Sequence, residues 1–558
     1  MMETQRLIAL VVFSFSALLL WDAWQKHNAP KQVAPSASTA PAVPGAPAAP
    51  STQPSPAMQP GTPAVPQAQA AQVSGGDPIL VRTDLFDVEL STLGGDVRRV
   101  TMKQVHSALD RAQPLTLLAP DSKHFFVTQT GLLGDGLPSH KAVYEAERRS
   151  FVLGEGQNTL EVRLLSREGG AEVVKRLRFS RGSYVIDVAY EITNKSDKAI
   201  VPYAYFQFLR DGNPPGEEAA QTSAFAGVTT FTGPALYTDE AKFHKIDFKD
   251  IDKEKQLPVK TAKDGWIGII QHYFVSAWLP KAGVERDYFT RKVGENLYTA
   301  GVVVRFGSIA PGASATVDVP AYIGPQETER LEQVAPGLKL VVDYGWLYII
   351  AAPLFWILKS IHEVVGNWGW SIILLTILIK LVFYPLNAKA GRSMAQMKVL
   401  TPKMEKLKEL YGEDRQKLNQ AMMELYKTEK INPLGGCLPI VVQIPVFIAL
   451  YWVLLASIEL RHAPWLGWIQ DLSAPDPYFI LPVIYAVSML VQTKLNPQPA
   501  DPVQARVMLI MPIMFSVFFL FFPSGLVLYW VVQNLLSIVQ QWHINRTIEA
   551  ETKAKARR

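Results

Sequence analysis

The residue most suggestive of chemistry is a lysine in an apolar setting. Lys380 lies inside SIILLTILIKLVFYPL, residues 371–386, a run that otherwise reads as a membrane-crossing helix. A cation at bilayer depth costs roughly 2.5–3.5 kcal/mol on insertion scales, so its default reading is functional. Thr376 and Tyr384 stand four residues to either side, which puts all three on one face of an unbroken helix. Other apolar runs carry Gln443, Ser488, Gln492, Tyr529, Gln533 and Asn534, with Gln533 four residues after Tyr529. Two bland readings compete with function. Polar side chains between spans serve as interhelical hydrogen-bond glue. A lysine six residues from the end of its run, roughly 9 Å at helical rise, can snorkel to the surface. A stripe of Thr, Lys and Tyr facing Gln and Tyr on other spans favours an inward, water-accessible, positive recess. The chemistry of such a recess is electrostatic: it attracts polar, acidic chain segments and needs no nucleotide or catalytic group.

Other chemistries find little support. His106, His140 and His272 are scattered without metal-ligand spacing, so no metal and no cofactor is expected. Cys437 is the single cysteine, which excludes an intrachain disulfide. With no nearby histidine or second thiol to activate it, it reads as a small helix residue.

The elements that must hold Lys380 follow from the hydropathy pattern. The chain has 558 residues, 48% of them hydrophobic, and a small net charge of +5, but it divides into two unlike halves. Residues 1–26 hold an apolar run after Arg6, with no small-x-small cleavage motif behind it and Trp21 and Trp24 at its end. That composition predicts an uncleaved membrane anchor rather than a signal peptide. Residues 27–76 are rich in Pro, Ala, Gln and Ser, which cannot bury a core and predict a disordered, extended linker. Residues 77–335 show strand alternation in LFDVELS, LEVRLLS, EVVKRLRFS, YVIDVAYEIT and YTAGVVVRF, separated by turn signals such as LGGD, REGG and NKSD. Many strands without helical periods between them predict a large antiparallel β-sandwich.

Residues 336–366 include a short apolar helix cut off by Lys359, His362 and Glu363. Residues 367–545 hold apolar runs near bilayer length, and 546–558 form a basic tail. The loop at 387–432 contains ten Lys or Arg residues and is therefore cytoplasmic by the positive-inside rule. Arg6 places the N-terminus on the same side. An even number of spans must separate the two, so 346–364 is read as an interfacial amphipathic helix. Spans near 7–21, 368–386, 436–456, 479–493, 507–522 and 526–542 give six, with both termini inside. The loop at 389–431 predicts a helical hairpin broken at Gly412, with Met394, Met397, Leu400, Met404 and Leu407 on one face and Leu418, Met422 and Leu425 on another. Methionines offer such an arm an adaptable apolar surface.

NPLGGCLPIVVQIPVFIALYWVL, DLSAPDPYFILP and FFPSGLVLYWVVQNLLSIVQQ closely resemble the YidC/Oxa/Alb membrane protein insertase family, and the layout resembles its Gram-negative YidC form. The resemblance implies a six-span membrane helical bundle with a large periplasmic antiparallel β-sandwich, in the bacterial inner membrane. It implies an insertase and chaperone for new inner-membrane proteins, acting alone or with the Sec translocon, and not an enzyme. Its groove would be open to cytoplasm and lipid, closed outside, and would hold a basic residue. Lys380 matches that position, where Gram-negative members often carry arginine; lysine keeps the charge but loses the planar fork. Thr376, Gln443, Trp530 and Gln533 match other groove-lining positions, and Tyr529 joins them by its spacing. The implied partners are nascent membrane-protein substrates, the Sec translocon, membrane lipids and, weakly through the basic tail and cytoplasmic loops, the ribosome. Two other classes stay open. A secondary transporter would need internal repeats and discontinuous helices, and no convincing repeat is present. A membrane-anchored periplasmic glycan enzyme would need paired carboxylates or a nucleophile in the sandwich.

Overall fold

The computed structural model describes Val65 and residues 75–556, apart from 108–109, 122–123, 168–169, 215–229, 413, 430–437 and 496–501. The expected anchor at 1–26, nearly all of the linker at 27–76, and Cys437 lie outside the described residues. Val65 is buried and packs against Leu133, Tyr205, Phe289 and Val303 of the sandwich.

Alternation in the first half becomes two sheets. In Ala171–Ser180 the odd-numbered residues Ala171, Val173, Lys175, Leu177 and Phe179 are buried. Val185–Asn194 lies between that strand and Ser314–Pro325, antiparallel to both, with Val188 opposite Leu177 and Val319. These three sit within a nine-stranded sheet. A ten-stranded sheet includes Tyr203–Asp211, flanked by Phe125–Leu133 and Leu297–Arg305. Among the described residues pairing is antiparallel except where Pro78–Arg82 runs parallel to Ser150–Val152. The sheets meet through rings: Trp278 lies 5.3 Å from Phe206 and 5.2 Å from Phe208 between centroids. Such pairs add roughly 0.5–1.5 kcal/mol each beyond their buried area.

Lys175 keeps its inward register although it is charged. Its ammonium donates to Asp96 Oδ1 at 2.8 Å, Gly94 O at 2.8 Å and Thr130 Oγ1 at 2.6 Å, which uses all three protons. Burial lowers its pKa, and the Asp96 carboxylate opposes that shift.

The helices are α1 (Phe248–Asp252), α2 (Thr328–Val334), α3 (Tyr348–Val365), α4 (Trp368–Val382), α5 (Tyr384–Val399), α6 (Thr401–Tyr411), α7 (Arg415–Thr428), α8 (Leu438–Ala456), α9 (Ile480–Leu495), α10 (Pro502–Phe518) and α11 (Ser524–Ala556). Among the described residues, Gly345–Val365 is the one segment long and apolar enough to cross a membrane by itself, so helix lengths do not supply six spans. That segment is the one the charge pattern assigns to the interface. It buries Ala351, Leu354, Phe355 and Leu358 and exposes Trp346, Ile349 and Trp356.

The expected continuous helix over 368–386 is broken. α4 and α5 meet at a bend of 69° around Phe383. Pro385 has no N–H for the Leu381 carbonyl and its ring would clash with it, so the helix cannot run through. α6 and α7 pair as a hairpin through Leu400, Met404, Met422, Leu425 and Tyr426. The last helix does not end at the apolar limit: α11 runs for 33 residues and absorbs most of the basic tail.

The sandwich docks on the helical end by specific bonds. His272 Nε2 donates to Leu455 O at 3.0 Å, near the C-terminus of α8, where carbonyls lack intrahelical partners. Arg461 donates to His106 O at 2.8 Å and lies over the rings of Tyr273 and Phe274. A cleft of about 490 Å³ opens beside this junction, lined by Tyr184, Tyr322, Glu327, Arg330, Lys359 and Glu459. Burial raises the Glu459 pKa to about 7; Glu327 and Glu329 add to the shift and Lys359 opposes it. The folded chain thus keeps a proton that the unfolded chain, at 4.5, has already lost. Native stability therefore falls as pH rises from that value through about 7. Glu459→Gln should match the wild-type melting midpoint below the unfolded value of 4.5 and exceed it by a growing margin as pH rises to about 7. Thermal scans of the full-length protein across that range check this, and a pH-independent difference would refute the assignment.

Candidate functional site

The site forms where α4, α8, α9 and α11 converge. Lys380 is half-buried near the C-terminus of α4 and donates to Ser537 Oγ on α11 at 2.7 Å. Ser537 in turn donates to Gln533 O, its own helix's carbonyl four residues back, at 2.8 Å. Among the described residues, Lys380 makes no ion pair with a carboxylate. Ser537 was not among the expected residues, although a signal existed: it extends the Tyr529, Gln533 spacing by another four residues.

The remaining expected residues divide into two groups. Gln443, Tyr529 and Gln533 come together. Tyr529 is 1% exposed, and Gln443 is its polar neighbour, without a bond of good geometry between them. Among the described residues Tyr529 Oη, Gln533 Oε1 and Gln492 Oε1 are buried without a hydrogen-bond partner. Leaving such a group unsatisfied costs roughly 1–3 kcal/mol each, so these atoms have hydrogen-bonding capacity to spare. Thr376 and Trp530 are taken up by packing. Thr376 is fully buried, and its hydroxyl donates to Ile372 O of its own helix at 2.6 Å. Trp530 packs on Phe447, Phe519 and Tyr485, with centroids 4.7, 6.0 and 6.3 Å away, which ties α11 to its neighbours. Tyr384 leaves the stripe altogether, because the bend at Phe383 puts it on α5, where it is half exposed. Ser488 and Asn534 are glue: Asn534 Nδ2 donates to Ser488 Oγ across α11 and α9 at 2.7 Å.

The bundle end nearest the sandwich is tied together by loop bonds and close packing. Asp476 accepts from Trp468 Nε1 at 3.0 Å and from Leu481 N at 2.7 Å, capping the first turn of α9. Ser524 N donates to Ala474 O at 2.7 Å, and Ser524 Oγ to Asp471 O at 2.8 Å. Trp465 lies flush on Gly369, where a Cβ would stand only 2.2 Å from the indole. A half-buried cation, unsatisfied amides and a phenol can hold a polar chain segment by charge and hydrogen bonds.

Comparison with known proteins places the chain in a family. The family described as 60Kd inner membrane protein matches residues 360–552, and the YidC periplasmic domain matches 78–357. A membrane protein insertase YidC from Aromatoleum aromaticum is 54% identical over 551 residues, covering 99% of each chain. One from Methylobacillus flagellatus is 51% identical over 562 residues, covering 100% of each. A crystal structure of an active YidC insertase with its first transmembrane domain resolved aligns over 84% of this chain and 92% of its own, at 17% identity and a TM-score of 0.38. The chain belongs to the YidC family of membrane protein insertases. Its activity is insertion of membrane proteins at the inner membrane, its β-rich half is the periplasmic domain, and the transporter and glycan-enzyme readings fall away.

The Tyr529 hydroxyl separates function from stability. Since it has no well-made bond to lose, Tyr529→Phe should leave the melting midpoint unchanged or raise it, while lowering insertion. A clear loss of stability would mean that the hydroxyl is structural.

Proposed function

We propose that insertion proceeds through a hydrophilic groove, in which Lys380 draws in the polar tail of a substrate while its apolar segment leaves into lipid. The observation that carries this is the state of Lys380: a half-buried ammonium whose described partner is a hydroxyl, not an anion. Its charge is therefore available. Two charges about 4 Å apart gain roughly 1–4 kcal/mol at effective dielectrics between water and a protein surface. That is enough to bias entry tenfold or more and small enough to permit release. Gln443, Tyr529 and Gln533 offer hydrogen bonds that each peptide group otherwise forfeits in hydrocarbon, with Thr376 and Trp530 as walls.

The same reading assigns six spans, cytoplasmic termini, an interfacial α3 and a cytoplasmic hairpin. The ten basic residues at 387–432 support that orientation. Short helices support a shortened path as well. α4 has 15 residues, about 22 Å at helical rise, against a hydrocarbon core of roughly 30 Å. The bilayer accommodates such a shortfall by thinning. Cooperation with the Sec translocon and a weak ribosome contact through the basic end of α11 complete the proposal.

Two measurements test it. Lys380→Arg should retain insertion, Lys380→Ala should slow acidic-tailed substrates about tenfold and neutral ones less, and Lys380→Glu should be worse still. A stably expressed Lys380→Ala protein that inserts acidic-tailed substrates normally would return the lysine to snorkelling. In a Cys437→Ser background, cysteines within 457–477 should react with impermeant thiol reagents from the periplasm, and those within 389–431 should not. The reverse pattern would invert the map.

A further inference from the structure

The groove helix carries its polar spacing beyond the groove. Tyr529, Gln533, Ser537, Gln541 and Asn545 follow one another at intervals of four, so each is the helical neighbour of the next. Lys380 joins this ladder at Ser537. The last two rungs are buried amides, 7% and 8% exposed, and each makes one bond that leaves α11. Gln541 Nε2 donates to Gly391 O on α5 at 3.3 Å and to Asn545 Oδ1 at 2.9 Å. Asn545 Nδ2 donates to Leu495 O, the last residue of α9, at 3.2 Å. That carbonyl has no partner within its own helix.

The contact is also sterically specific. A Cβ on Gly391 would stand 2.8 Å from Ile544 Cδ1 and 2.9 Å from Gln541 Oε1. One turn on, Ala395 packs between Ile544 and Ile548. α5 is the root of the hairpin arm and leaves α4 at the 69° bend, a few residues past Lys380. The bend is a joint, and the bonds from Gln541 and Asn545 are what the structure offers to hold it at one angle.

We propose that Gln541 and Asn545 are positioning residues that clamp the root of the arm to α9 and α11, so that the setting of the arm and the shape of the groove change together. The inference rests on the groove reading above but fails independently of it. Loss of the clamp frees the arm while Lys380 and its neighbours stay in place. Retention of the clamp transmits movement of the arm along the ladder to Ser537 and Lys380.

The test uses the full-length protein in nanodiscs, with Cys437→Ser and spin labels at Lys398→Cys on α5 and Lys494→Cys on α9. Pulsed-EPR distances and insertion rates are read together. The native clamp should give one narrow distance. Gln541→Leu combined with Asn545→Leu should broaden it and slow insertion about fivefold or more, the lower range of coupling between sites. Gly391→Val attacks the same contact from the arm and should do likewise. Lys380→Ala should slow insertion with the distance still narrow, which separates this inference from the groove reading. A narrow distance in both clamp variants, or a broad one with undiminished insertion, would overturn the proposal. So would failure of both variants to fold, because the contact would then be a stability element alone.

Discussion

A lysine within an apolar helix, with no carboxylate partner among the described residues, is the constraint on which the helical half depends. An ammonium cannot rest in hydrocarbon, so the surrounding helices must supply polar contacts or water. Here the direct contact is a serine hydroxyl, itself tied back to its own helix. Neither group neutralises the charge. An ion pair would have ended the field within the protein, which the proposed groove could not use. The lysine keeps its stem among the helices and its charge unspent, which suits a flexible point charge better than a rigid guanidinium fork.

The remainder of the bundle answers that constraint. α11 presents polar residues at every fourth position, while the ring of Trp530 fixes it against Phe447, Phe519 and Tyr485. Polar seam and aromatic wall thus belong to one helix, and a change in its rotation would move both. At the sandwich end, Asp476 accepts from the Leu481 N–H and Ser524 donates to the Ala474 and Asp471 carbonyls, so that end is held by bonds that water need not supply. At the opposite end, the amides of Gln541 and Asn545 take over the same role between helices.

The periplasmic sandwich follows different physics. Its stability comes from two sheets sharing a ring-filled core, with one charged pair embedded in it. A buried ion pair gains little net stability, yet loss of one partner leaves an uncompensated charge, commonly at a cost of about 3–5 kcal/mol. A one-residue slip would turn Lys175 outward and leave Asp96 alone, so the Lys175–Asp96 pair disfavours the shifted register. His272 and Arg461 couple this domain to α8 and the following loop, so the sandwich sits on the helices through named bonds.

Local patterns made much of this legible in the sequence. Period-two alternation marked the strands of Ala171–Ser180 and Val185–Asn194, because one face of a sandwich strand must be apolar. Lys380 stood out because a charge within an apolar run is costly wherever the helix packs. Gln443, Tyr529 and Gln533 could be named, since polar residues in apolar runs are few. What escaped depended on geometry that no window contains. The break at Phe383 removed Tyr384 from the stripe, because Pro385 overrode an otherwise helical run. Thr376 spent its hydroxyl on its own backbone, a choice of rotamer. Ser537 became the partner of Lys380 only when α4 and α11 packed together, across 157 residues of chain. The sequence alone determined that a charge must be accommodated among apolar helices; packing between distant helices decided which atoms accommodate it, because hydrogen bonds are specified by distance and angle rather than by composition.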